Sequence, residues 1–220
     1  MSAVIRKGLG SFFAFATGYS AIHSNTVPDY SPRGLDEQKQ SALDSIRQSS
    51  EYKALQANSN FHGSAYSLSI PSSYRQNHVA QGVLYGQNYF EIDPLVYVNE
   101  NDGELVAFYH IGDKLTDQTG KLHHGVLGLL LDEALCFCGF PKLPHKRGVT
   151  GKLTLDYEDS VCAGQTVVLK AKVTEHQGRK AVIDGHIETL DQGNVLAKGR
   201  CVLVEPKWFK YVDWFDLFRQ

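Results

Sequence analysis

A chain of 220 residues, 42% hydrophobic and 21% charged, can bury one sizeable core with some length left for an extension. Its net charge of −2 supplies no overall basic field, which speaks against nucleic acid as the main partner. Four cysteines in this length do not make a disulfide scaffold, and Cys136 and Cys138, spaced C-x-C, match neither common zinc sites nor thioredoxin-like redox pairs.

Residues 1–28 stand apart. They hold Arg6 and Lys7 but no acidic residue, and the uncharged run GLGSFFAFATGYSAI follows. The lack of acids, with Arg, Lys, Ser and Phe, fits a mitochondrial targeting segment. A short membrane anchor also fits, although the run falls below the ~20 residues of an ordinary spanning helix. The charge order fits a secretory signal, but no clear A-x-A cleavage site follows. A terminus without a role is the fourth reading. Residues 29–78 are expected to be a linker and an N-terminal helix. NTVPDYSPRG (25–34) has linker composition. Over 35–56, Leu35, Leu43, Ile46, Ala54 and Leu55 form a partial apolar stripe that predicts helix. From 57 to 79 no period is visible, and the stretch reads as irregular.

The compact domain is expected over 79–208, followed by a tail at 209–220. PLVYV (94–98) and ELVAFYHI (104–111) flank NENDG, a hairpin pattern with Asp-Gly in the turn. After the loop GDKLTDQTGKL, GVLGLLLDEALCFCGF (125–140) is nearly all apolar. It reads as a buried helix ended by Gly139 and Pro141, too short to span a membrane. KLTLDY, TVVLKAKV, KAVIDGHIE and NVLAKGRCVLV then follow as strands, separated by Gly-bearing loops. Their alternation predicts an antiparallel sheet with one wet face. The order β-β-α-β-β-β-β is satisfied by one apolar helix wrapped in one curved antiparallel sheet, an α+β class.

Asp132 and Glu133 interrupt that helix amid leucines. A carboxylate there costs several kcal/mol unless it is paired, hydrogen-bonded or open to a cleft. Adjacent helical residues point about 100° apart, so the two acids do not serve one face equally. At least one is expected to face a cleft or subunit interface; a structural buried acid, or one at an exposed edge, is the plainer alternative. At the helix entrance stand His123, His124 and Gly125. Free N–H groups and the positive dipole end at a helix N-terminus can stabilise the oxyanion of an ester or thioester under attack. A capping or surface histidine is the bland alternative.

HHGVLGLLLDE resembles the His-Gly-Gly…Asp segment of hotdog thioesterases of the thioesterase-superfamily-member (THEM) type. GVTGKLTLDY, GRKAVIDGHIE and LVEPKW fit the same family, so the resemblance covers about 79–208 and is nearest in character to a fungal, often mitochondrial, branch. It implies a hotdog fold that hydrolyses fatty acyl-CoA to free acid and CoA. It also implies no cofactor or metal, and a homodimer with each site built across the interface. With the N-terminus, it implies a mitochondrial location with room for membrane association.

Carried over by residue, Asp132 matches the carboxylate that acts as general base or nucleophile. His123 matches the motif histidine, which positions substrate and acid. Thr150 matches a threonine that orients the carboxylate or water. The His124 N–H falls at the oxyanion donor, and Gly125 at the glycine that lets the thioester approach. Arg179 and Lys180 fall where basic residues meet the CoA phosphates, or else form a solvated turn. The family usually carries glycine where this chain has His124, which keeps the N–H but not glycine's freedom. An alternative alignment makes His124 the motif histidine. That departure leaves a second reading, a hotdog protein that binds acyl-CoA without turning it over.

Other chemistries fit less well. A dehydratase of the same fold matches the Thr150 segment less closely. The C-x-C thiols turn about 200° apart on a helix and do not chelate one ion. No G-x-S-x-G is present, and the apolar run is expected to keep the Cys136 and Cys138 thiols protonated.

Overall fold

The computed structural model describes residues 33–34 and 37–209, so the 1–28 segment and all but the first residue of the 209–220 tail lie outside the described residues. Helix α1 (Gln40–Gln48) buries Ala42, Leu43 and Ile46, the helical stripe of its sequence. Ser49 breaks the run. Its extended backbone ends α1, and its hydroxyl accepts the Tyr52 N–H that starts α2 (Ser50–Ala57). The helix expected over 35–56 is therefore two helices.

Next come β1 (His62–Ala65), a 3-10 turn at Tyr66–Ser69, the short α3 (Ser72–Arg75) and a π turn at Val79–Val83. The domain proper follows as β2 (Leu95–Asn99), β3 (Glu104–Ile111), α4 (His124–Gly139), β4 (Val149–Tyr157), β5 (Gln165–Gln177), β6 (Lys180–Thr189) and β7 (Val195–Val204). The seven strands form one sheet in the order β1-β2-β3-β5-β6-β7-β4, antiparallel throughout. This is the α+β hotdog arrangement, with α4 as the helix the sheet wraps.

The structure corrects the irregular reading of 57–79, because β1 lies inside it. HGSA has no apolar alternation and is mostly exposed. It is a strand only because β2 offers it a pairing edge, His62↔Val98 to Ala65↔Leu95. The single wet face is corrected too. Leu43, Ile46 and Leu55 of the N-terminal helices close a second core over Ile92, Tyr97, Phe108 and Val168 on the outer side. The outer face therefore stays wet over β6, β7 and β4, where Lys198 pairs with Glu158 and Arg200 with Glu175.

On the inner side α4 buries Leu127, Leu130, Leu131, Ala134 and Leu135 against β5, β6 and β7. Among the described residues, the run His124–Lys142 is long and apolar enough to cross a membrane by length and composition, but here it is the core helix. Gly185 and Gly199 pair across β6 and β7 and make the groove for it. A Cβ at Gly185 would lie 2.7 Å from both Leu135 Cδ2 and the Lys170 carbonyl oxygen; one at Gly199 would lie 3.0 Å from Leu135 Cδ1.

Gly185→Ala is therefore expected to lift α4 off the sheet and cost about 1–3 kcal/mol of stability. Urea denaturation measures this directly, and an unchanged midpoint would mean that Leu135 is not seated in this groove.

Candidate active site

The N-terminus of α4 is fixed from outside by the preceding loop, where the His123 N–H donates to the Leu115 carbonyl at 3.0 Å. His123 is the N-cap. Its Nδ1 accepts the Gly125 N–H at 2.9 Å, which leaves the ring proton on Nε2. A Cβ at position 125 would sit 2.9 Å from His123 Nδ1, so glycine lets the imidazole fold back over the first turn. His124 begins the helix. Its ring stacks on Tyr157 at the end of β4, with centroids 4.2 Å apart and planes 6° from parallel. Among the described residues the His124 N–H donates to no acceptor, as befits a first-turn amide.

Two turns on, Asp132 is half-buried on the side of α4 that faces β4. Thr150 Oγ1 donates to Asp132 Oδ1 at 2.9 Å. The β4–β7 register slips between Thr150 and Lys152, and such a bulge re-aims the side chains around it. Thr150 Oγ1 also lies 3.1 Å from Cys136 Sγ, one turn beyond Asp132.

The two thiols of the C-x-C pair separate here. Burial pushes Cys138 up to about 12. Cys136 moves down instead, chiefly through its hydrogen bond with Cys201 and, against burial, through that with Thr150. Cys136 differs from Cys138 because its side chain meets the Thr150 hydroxyl.

Glu133 points elsewhere. Tyr66 Oη donates to Glu133 Oε2 at 3.3 Å, and the Tyr66 ring sits edge-on to Phe137 at 5.8 Å. Burial pushes Glu133 up to about 7, opposed by the Tyr66 hydrogen bond and reinforced by the Asp132 charge. Burial first and the Glu133 charge second raise both Tyr66 and Tyr109. These tyrosines, Phe137 and Glu133 line a small cavity between α4 and strands β2 and β3. One acid thus sits half-buried beside Thr150, and its neighbour is turned toward Tyr66 and Phe137.

Arg179 and Lys180 lie on the β5–β6 turn. Arg179 Nη1 donates to the Glu205 carbonyl at 2.7 Å, and the Glu205 N–H donates back to the Arg179 carbonyl at 2.8 Å. The buried Glu205 carboxylate accepts the His145 N–H at 2.9 Å and lies 2.6 Å from His145 Nδ1. Lys180 is exposed at the start of β6, in register with Val204, which in turn pairs with Val149. This turn is therefore at the end of the sheet where β4 begins.

The structure brings Asp132 and Thr150 into contact, gathers His123, His124 and Gly125 at the other end of α4, and sets Arg179 and Lys180 apart on their turn. The eight residues between His124 and Asp132 correspond to about 12 Å of helix. Sequence reasoning missed Cys136, Cys201, Tyr66 and Tyr157. Cys136 carried a usable signal, since it follows Asp132 by four residues and so shares its helix face. Tyr66 carried none, lying in a stretch without a period.

A family model described as the thioesterase superfamily matches residues 119–196, from the loop before α4 into β7. An uncharacterized mitochondrial protein of Candida albicans is 44% identical over 182 residues, covering 80% of this chain and 82% of that protein. MIOREX complex component 3 of Saccharomyces cerevisiae is 40% identical over 209 residues, covering 84% and 77%. The solved structure of thioesterase superfamily member 2 from Mus musculus shares 18% identity, with a TM-score of 0.43 over 47% of this chain and 75% of that one.

The buried Glu133 gives a pH test. Its folded pKa of about 7 lies above the ordinary 4.5, so the native state holds the proton more tightly. Stability is full below the unfolded value and falls as pH rises through the folded one, by roughly 3 kcal/mol in all. Glu133→Gln is neutral at every pH. It should melt near wild type at about pH 4 and clearly above it at about pH 8. Parallel melting curves for the two proteins across that range would place the buried proton elsewhere.

Proposed function

The chain belongs to the thioesterase superfamily, and we propose that it hydrolyses acyl-CoA thioesters to free acid and CoA. The observation that carries this is the Thr150–Asp132 hydrogen bond, which fixes a half-buried carboxylate on the side of α4 that faces β4. With Oδ1 occupied by Thr150, Oδ2 is left to take a proton from water. The water oxygen bonds to the thioester carbon, the carbonyl becomes an oxyanion, and its collapse breaks the C–S bond and releases CoA thiolate. Direct attack by the Asp132 carboxylate, followed by hydrolysis of the anhydride, uses the same geometry. The His124 N–H, at the positive end of α4, is the oxyanion donor. Gly125 and His123 keep that amide uncovered, since the His123 ring is folded onto the Gly125 N–H.

A separation of about 12 Å along the helix is too long for one thioester carbon to meet both the His124 N–H and Asp132 of the same copy. A homodimer resolves this. β4 is a nine-residue edge strand with Val149 and Tyr157 exposed by 46% and 40%, and such an edge invites pairing. α4 runs antiparallel to β4, as the His124–Tyr157 and Asp132–Thr150 contacts show. Pairing two β4 strands about their midpoint sets the helix entrance of one copy against the carboxylate of the other. Lys180, with whatever donors Arg179 keeps beyond the Glu205 carbonyl, serves the CoA phosphates at the Thr150 end. The mitochondrial relative supports reading residues 1–28 as a targeting segment and a mitochondrial site of action.

Two outcomes are expected. Asp132→Asn keeps the shape of the side chain but removes its basic lone pair and charge, so release of free CoA thiol should slow by roughly 10²–10⁴ while the protein stays folded and still binds acyl-CoA. Tight acyl-CoA binding with no thiol release by the wild type, over acyl chains from acetyl to palmitoyl, would favour the binding-only reading. Light scattering at micromolar concentration should show a dimer; a monomer there would remove the composite site.

A further inference from the structure

The end of the sheet where β4 begins carries a charge that the chain's net −2 conceals. Residues 142–148, 178–180 and 205–208 hold Lys142, Lys146, Arg147, Arg179, Lys180 and Lys207 against a single acid, Glu205. The fold brings these three segments together, since Lys180, Val204 and Val149 stand side by side on β6, β7 and β4. Two strand spacings amount to about 10 Å, a distance over which like charges still repel at about 0.1 M salt. Glu205 ties the segments. On one side its carbonyl and N–H are bonded to Arg179, at 2.7 and 2.8 Å. On the other its buried carboxylate accepts the His145 N–H at 2.9 Å and lies 2.6 Å from His145 Nδ1. Against burial, these His145 bonds hold the Glu205 carboxyl below its ordinary range. Next in the chain, Lys146 has φ 51°, a left-handed backbone that glycine adopts more readily than lysine. Strain of this kind collects at ligand clamps. Lys146 also meets Glu100 at 3.5 Å, but both side chains are largely exposed, and such a pair holds little.

We propose that Glu205 is a positioning residue: it pins the loop of Lys146 and Arg147 against the turn of Arg179 and Lys180, and the basic rim so formed takes the phosphates at the nucleotide end of CoA. Six cations on neighbouring segments push one another apart. One buried carboxylate offsets that repulsion and leaves most of the positive charge for a ligand. A phosphate accepts hydrogen bonds from several donors at once, so a rim of lysine and arginine fits it better than one lysine does. Arg179 Nη1 is committed to the Glu205 carbonyl, which sets the turn in place and leaves Lys146, Lys180 and Lys207 as exposed cations. The rim stands beside the candidate reacting group: Arg147 precedes Thr150 by three residues, and Thr150 donates to Asp132. That the ligand is CoA rests on the thioesterase reading; the assembly of the rim by Glu205 does not.

The test has two arms, both on the full chain. The first is calorimetric binding of adenosine 3′,5′-bisphosphate at low salt, which needs no turnover; the wild type should bind, and less well as salt rises. Glu205→Gln keeps the backbone bonds to Arg179 and loses the charge that faces His145. His145→Ala removes the same contact from the other side. Each should weaken binding by roughly 3–10-fold, the worth of one hydrogen bond, and the two together by no more than either alone. His145→Asn, which can place a donor where Nδ1 stood, should recover most of that loss. Should Glu205→Gln not fold, His145→Ala and its rescue decide the same contact. Lys146→Gly relieves the left-handed backbone, so it should melt no lower than wild type and yet bind roughly tenfold more weakly. In the second arm, hydrolysis of acyl-CoA, these variants should raise KM by matching factors with kcat nearly unchanged, because a remote contact serves ground and transition states alike. A wild type that binds no bisphosphate at low salt overturns the rim, as does a Lys146→Gly protein that binds like wild type. Unchanged affinity in Glu205→Gln and His145→Ala, or losses that add when the two are combined, overturns the positioning role. A wild type that binds the bisphosphate but releases no CoA from any acyl-CoA leaves the rim standing and removes the thioesterase reading alone.

Discussion

The structure depends on covering a helix that is apolar almost all the way round. α4 cannot be left on the surface of a sheet; it needs enclosure on nearly every side. Strands β5, β6 and β7 supply one wall, and the paired glycines Gly185 and Gly199 bring backbone rather than side chains against Leu131 and Leu135. Tyr66 and the turn that carries it supply another wall at Phe137. The flank beside β4 remains partly open, and that is where Asp132 lies. There the half-buried carboxylate meets the Thr150 hydroxyl on a leucine-rich helix.

The contrast between the two acids follows from the same geometry. Successive helical positions diverge by about 100°, so one carboxylate falls at the open flank and the other inside the wall. Glu133 is pushed up to about 7 by burial and holds a tyrosine hydroxyl, while Asp132 receives a threonine hydroxyl. A pair that looks redundant in the sequence is divided by its surroundings into a group that takes up a proton near neutrality and a group that accepts hydrogen bonds from solvent-facing partners.

Much of this was legible beforehand, where periodicity or a motif carried it. The alternation in TVVLKAKV and KAVIDGHIE belongs to β5 and β6, the hairpin at Asp102–Gly103 joins β2 to β3, and the uninterrupted run after Gly125 is α4. Asp132 and Thr150, 18 residues apart in the chain, lie in hydrogen-bond contact. What escaped was decided by tertiary contact. His62–Ala65 has no strand pattern of its own and takes its form from β2. Tyr97, Phe108 and Val168 read as members of strands, but nothing in their spacing says that α1 and α2 lie over them. Arg179 reads as a free basic residue on a turn, and only the fold shows its guanidinium on the Glu205 carbonyl.

The two margins of the sheet are unequal. β1 is four residues long, with no apolar alternation, and runs straight into a 3-10 turn; β4 is nine residues long and fully extended apart from its bulge. Head-to-tail addition of one sheet to the next would require these two margins to match, and they do not. Among the described strands, the margin that matches β4 in length is β4 itself. In the β4–β4 pairing proposed above, growth would end after one step, because the joined pair would present two short β1 margins to the outside. The mismatch therefore acts against fibre formation, alongside the exposed charges of Lys152 and Asp156 on the strand itself.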